Sequence, residues 1–226
     1  LLRNENSLLA GIGAVVDVVF DLRLGSRRTN RERPAVLEID EDHLLLGNFV
    51  TLFIDMIFIS MLGYEEMAAA AGYARALMFF TSAINIGLSV AAGVLVSRSI
   101  GEDDELEARE YATSTAMLVV LTGVVIPLVL LANVEFFVGL LGASGQVAEL
   151  AATYLWIVVP FTWVSGLSMV TVASLRCYGE HRLAMYPSLF GALTNAVLDP
   201  IFIFVLAMGL PGAAWATVAA RFVTLG

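Results

Sequence analysis

The residues of this chain best placed to do chemistry are carboxylates set in apolar sequence. Asp199 lies in Leu193-Thr194-Asn195-Ala196-Val197-Leu198-Asp199-Pro200-Ile201-Phe202-Ile203-Phe204. Holding an aspartate at mid-depth in a bilayer costs roughly 2.5–3.5 kcal/mol on insertion scales, so such acids mark function more often than packing. Asn195 precedes it by four residues, which puts both side chains on one helical face. Pro200 has no N–H to give the carbonyl of Ala196, so the helix loosens beside the acid and Pro200 is a candidate hinge. A carboxylate, an amide and a freed carbonyl together suit a proton or a small hard cation. Asp55, in Phe53-Ile54-Asp55-Met56-Ile57-Phe58, is a second acid among apolar neighbours. The competing reading is structural: a buried acid that only hydrogen-bonds a neighbouring helix.

Composition restricts what surrounds these acids. The 226 residues are 59% hydrophobic and 15% charged, where soluble domains carry about 25% charged residues, and mean hydropathy is +0.85. This is the composition of an all-α, polytopic membrane helix bundle. The net charge of −9 comes almost entirely from acids outside the apolar stretches. No basic patch faces a soluble surface, so nucleic acid is not an expected partner. All twelve basic residues are arginine. Without lysine there is neither a P-loop nor a Schiff base. Cys177 is the single cysteine, and His43 and His181 lie outside the spans, so a disulfide, a thiolate cluster and a resident metal are not expected. With no His, Cys or Lys in a span to act with the acids, neither an enzyme nor a prosthetic cofactor is expected.

Six transmembrane helices are expected to hold the site. Residues 1–43 read as a poorly defined cytosolic segment, and 44–226 as the membrane unit. The spans fall at about Leu44–Gly63, Ala76–Val96, Ala112–Ala132 (broken by Pro127), Leu150–Leu175 (with Pro160 midway), Leu183–Met208, and from Ala213 onward, the sixth cut off at Gly226. Tyr64–Arg75 reads as a short connection, Arg98–Tyr111 as a solvated loop and helix start, and Asn133–Glu149 as a loop. Ala83, Gly87 and Ala91 recur every four residues and offer a small-residue face for close helix contact. Leucine at position 1 and apolar helix at the other end lead us to expect a piece of a longer product.

Arginine placement sets the orientation. With six alternating spans, eleven of the arginines, Arg221 included, fall on one side and Arg75 alone on the other, so the N-terminus is expected to be cytosolic in a cell membrane. At about 1.5 Å per residue, Asp199 lies roughly 13 Å and Asp55 roughly 12 Å below the outer surface, with Thr217 roughly 7 Å down the sixth span. The fifth and sixth helices are neighbours because only a short turn joins them.

In order and spacing these residues resemble the multidrug and toxic compound extrusion (MATE) family of secondary transporters, from about Leu44 to the end. The residues that carry the resemblance are Asp55 with Ile57-Phe58 and Leu62-Gly63; Ser97-Arg98-Ser99-Ile100-Gly101 with the acidic run after it; Leu175-Arg176 with Gly179; and Asn195, Asp199-Pro200, Gly209, Gly212-Ala213-Ala214 and Ala216-Thr217. The resemblance implies one six-helix lobe, the N-terminal one, of a twelve-helix transporter, with the C-terminal lobe or a second chain as partner. It also implies that Asp55, Asn195, Asp199 and Thr217 bind the coupling H+ or Na+, the latter at the Asp199 site. The family's fourth helix adds an asparagine; here Ser168 and Thr171 stand in that region as auxiliary candidates, which leaves the coupling ion open.

The expected function is ion-coupled antiport that exports cationic, partly aromatic small molecules across the lipid bilayer. A lipid-linked oligosaccharide flippase of the same superfamily is the alternative, but it calls for cations in the cavity and the spans show none. A non-transporting membrane scaffold is a further alternative. The two acids and the prolines within the spans speak against it.

Overall fold

The computed structural model describes residues 65–225. The segment 1–43, the expected first span at 44–63 and Asp55 within it lie outside the described residues. The helices in order are α1 (Glu65–Gly101), α2 (Glu105–Ala132), α3 (Val134–Leu140), α4 (Gly145–Val158), a 3-10 turn (Val159–Phe161), α5 (Thr162–Cys177), α6 (His181–Pro200), a π-helical segment (Ile201–Val205) and α7 (Leu210–Leu225). Among the described residues, four stretches are long and apolar enough to cross a membrane: α1, α2, α4 through α5, and Leu183–Val205. The start of the expected sixth span, α7, has 16 described residues.

α1 absorbs the stretch that the sequence left as a connection. Residues 65–75 are its first turns, because an alanine-rich run favours helix and Ala70, Ala71 and Ala74 pack into the core. Its packed face is Ala74, Leu77, Thr81, Asn85, Ala92, Val96 and Ser99. The expected small-residue face is not that face. Ala83, Gly87 and Ala91 are exposed, and nothing lies within 4 Å of where a Gly87 side chain would begin. Small residues permit close approach, but the polar Thr81 and Asn85, each no more than 5% exposed, share the stripe that turns inward.

The expected break at Pro127 does not occur. α2 runs straight through it, with Pro127 itself buried. Proline leaves the carbonyl four residues earlier without its donor. That carbonyl belongs to Gly123, and the Thr162 hydroxyl approaches it to 3.4 Å from the facing helix. The helices can come this close because residue 123 has no side chain: a Cβ there would lie 2.7 Å from Trp163 Cα. Pro160 does interrupt the fourth span, which turns from α4 through the 3-10 segment into α5. Part of the expected loop after α2 is the short helix α3.

The corner between α1 and α2 is also tighter than a solvated loop. Asp104 caps α2, accepting from the Glu107 N–H at 2.9 Å. Glu107 then accepts from the Ser99 hydroxyl at 3.0 Å and the Tyr111 hydroxyl at 3.1 Å, tying the two helix ends together.

α1 packs against α5, α2 and α4, while α6 packs chiefly against α7. Two large apolar clusters form most of the core, with a small third one at Leu175 and Ala184. One joins Leu77, Leu155, Val158, Ile203, Leu210 and Ala214; the other joins Ala92, Ala112, Val119, Leu167 and Val170. The candidate site borders the first.

Candidate functional site

α6 presents one buried stripe. Gly191, Asn195 and Asp199, continued by Ile203 of the π segment, recur every four residues and all turn inward. Asn195 is 9% exposed and Asp199 only 3%. A leucine-rich sequence can carry an acid at such burial only if the lobe supplies polar neighbours. The backbone changes at the same point. α6 ends at Pro200 and the next five residues are π-helical, with Leu206 N–H donating to Ile201 O at 2.9 Å and Met208 N–H to Phe202 O at 3.1 Å.

α7 closes over this stripe. At one end Gly191 meets Ala220 and Thr224; at the other, Gly212 meets Phe202 and Ile203. Asn195 and Asp199 lie on α6 between these two contacts, and Thr217 lies between them on α7. Both close approaches need glycine: a side chain at 191 would run into the Thr224 hydroxyl, and one at 212 into the Phe202 backbone. α7 supplies little bulk here, since Gly212, Ala213, Ala214 and Ala216 are its buried residues around the crossing.

Thr217 donates to Ala213 O at 2.9 Å, and its oxygen lies 3.5 Å from the Tyr154 hydroxyl. Tyr154, on α4, is 6% exposed. α4 and α6 therefore both meet α7 around one polar locus in an otherwise apolar cluster.

Of the site residues expected from sequence, Asn195, Asp199, Pro200 and Thr217 fall at this α6–α7 contact. Ser168 does not: its hydroxyl donates to Thr224 O at 3.0 Å, seven residues beyond Thr217. Thr171 lies one turn further along α5, half-buried. The residue that the fourth span does bring to Thr217 is Tyr154, which sequence reasoning passed over. A tyrosine inside an apolar run is the signal, because a buried hydroxyl needs a partner.

Arg221 also stands apart from its expected place. Counted by sequence with the arginines outside the spans, it is half-buried in the lobe, and its Nη1 donates to Val158 O at 3.0 Å. The packed lobe therefore does hold a cation. Among the described residues no group of three or more His, Cys, Asp or Glu side chains could hold a metal ion. An amide, a carboxylate and two hydroxyls fit a proton or a weakly held monovalent cation better than a divalent one.

The family model MatE matches residues 45–201. A Bacillus subtilis relative, "Probable multidrug resistance protein YpnP", is 30% identical over 185 residues, covering 77% of this chain and 40% of its own length. "Multidrug export protein MepA" of Staphylococcus aureus is 23% identical over 177 residues, with 77% and 39% covered. Among solved structures, a MOP superfamily transporter from Pyrococcus furiosus superposes with a TM-score of 0.77 at 30% identity, covering 80% of this chain and 40% of that one. The inward-facing conformation of a multidrug resistance MATE family transporter gives 0.73 at 31% identity, with 77% and 40% covered. The chain thus spans about 40% of the length of the relatives it matches.

Proposed function

Since this chain belongs to the MatE family, we propose that it forms the N-terminal six-helix lobe of a secondary antiporter in the cell membrane, N-terminus cytosolic. The transporter exports cationic, partly aromatic drugs or toxic compounds in exchange for H+ or Na+, and works together with a C-terminal lobe or second chain. The observation that carries this reading is Asp199, 3% exposed, on one stripe with Asn195 and directly before the switch from α to π geometry.

Asp199, Asn195 and Thr217 hold the coupling ion, together with Asp55. A charged carboxylate draws water and keeps helices apart; a neutralised one lets them close. Pro200 and the π segment give α6 a place to bend as that happens. The bend reshapes the lobe and releases the exported compound outward, so ion and substrate compete for one lobe. Tyr154 joins the network through Thr217.

The experiment is dye efflux by Asp199→Asn in the full chain. Loss of ethidium-type efflux with normal membrane accumulation is the expected result. Export at the parental rate removes the coupling role. Efflux at fixed pH with and without sodium then separates the two ions, and sodium independence leaves the proton as the driver.

One observation favours the flippase alternative: Arg221 is a cation inside the lobe. Its guanidinium is already bonded to the Val158 carbonyl, however, and a pyrophosphate calls for several cations. Antiport remains the better-supported function.

A further inference from the structure

We propose that Arg221 is a positioning residue that sets the register of α7 against α4 and so holds Tyr154 and Thr217 face to face. The inference builds on the site proposed above but adds a residue from outside it.

Two rungs join α4 to α7. One pairs the Tyr154 and Thr217 hydroxyls at 3.5 Å; the other runs from Arg221 Nη1 to Val158 O at 3.0 Å. Tyr154 and Val158 are one turn apart on α4, as Thr217 and Arg221 are on α7. Both rungs span the same separation of 63 residues. The two helices therefore run in step, and whatever fixes one rung fixes the other.

The rungs differ in strength. At 3.5 Å the hydroxyl contact is beyond ordinary hydrogen-bond length, and the Thr217 hydroxyl already donates to its own helix. It cannot set the register. The arginine rung is short and charge-assisted, so it can.

Its acceptor lies at the break in the fourth span. In an unbroken α-helix the Val158 carbonyl would take the Thr162 N–H. The 3-10 turn at Pro160 sends that N–H to Val159 O instead, and the Thr162 hydroxyl follows it at 2.8 Å. The Val158 carbonyl opens the 3-10 turn, and its second lone pair is the one that Arg221 takes. Next to it the rings of Phe161 and Phe222 meet edge to face with centroids 5.7 Å apart, continuing the same α4-to-α7 seam. A guanidinium is long enough to reach that carbonyl from a neighbouring helix and brings a charged donor to it.

The test uses hydrogen exchange on the purified full chain. In Arg221→Gln, amides over residues 155–166 should exchange about tenfold faster, with α1 and α2 unchanged. Tyr154→Phe, which removes only the weak rung, should leave that segment at the parental rate. Efflux of an ethidium-type dye should fall in Arg221→Gln, recover at least in part in Arg221→Lys, and fall no further in Tyr154→Phe/Arg221→Gln than in the worse single variant. Parental exchange over 155–166 in Arg221→Gln overturns the proposal, as do losses that multiply in the double variant. Should Arg221→Gln fail to accumulate, Arg221→Met keeps the stem, removes the donors and is read the same way. If the parental chain exports no dye when co-expressed with a C-terminal lobe, the transport reading fails, and the exchange measurement alone decides the positioning role.

Discussion

Gly212→Ala probes how tightly the site is tied to the fold. A Cβ at residue 212 would lie 2.7 Å from Phe202 O, 2.8 Å from Phe202 C and 3.2 Å from Ile203 N. Carbon atoms pack comfortably at about 3.5–4.0 Å, so the π segment and α7 must part by about 0.7 Å or more. All three obstacles are backbone atoms, and no side chain can rotate away to absorb the clash. Overpacking of this kind costs about 1–3 kcal/mol. Replacing a helical glycine returns about 1 kcal/mol of backbone entropy, leaving a net loss of up to about 2 kcal/mol, toward the upper end because only backbone atoms obstruct. The displaced residues directly follow Asp199 and Pro200, so the loss should fall on function as well as on stability. Thermal unfolding in detergent and dye efflux are the assays. Gly72→Ala is the control, because nothing lies within 4 Å of the added carbon and only the propensity gain remains. A Gly212→Ala protein that melts no lower than the parent and exports dye at the parental rate refutes the packing argument and the coupling of this contact to the site.

Two further outcomes follow from the same geometry. Pro200→Ala restores an N–H at the α-to-π switch, so the protein should be as stable as the parent or more so while dye efflux falls; efflux at the parental rate would show that the hinge is not used. Glu107→Ala removes the acceptor of both the Ser99 and the Tyr111 hydroxyl at the α1–α2 corner. It should lower stability by about 1 kcal/mol, toward the small end for bonds to a charged group because the carboxylate is half in solvent; an unchanged melting temperature would mean that water replaces both bonds.

Much of this protein was legible along the chain. Hydropathy is a sum over neighbours in sequence, so the apolar stretches, and with them the membrane bundle, needed no tertiary knowledge. The four-residue spacing of Asn195 and Asp199 already placed them on one face, and Pro200 marked where α6 leaves α geometry, since a missing N–H is a property of the residue itself. Other features depended on what lies across the bundle. Pro127 passes without a break in a helix packed closely across the bundle, where Gly123 lets Trp163 of α5 approach. The face of α1 that packs carries Thr81 and Asn85 among Ala74, Leu77, Ala92 and Val96, not the small residues one stripe away. Ser168 turned to Thr224, Tyr154 to Thr217 and Arg221 to Val158, each across more than fifty residues of chain. A side chain's hydrogen-bond partner is fixed by which helix lies opposite and in what register. Those are three-dimensional quantities, and local periodicity carries no record of them.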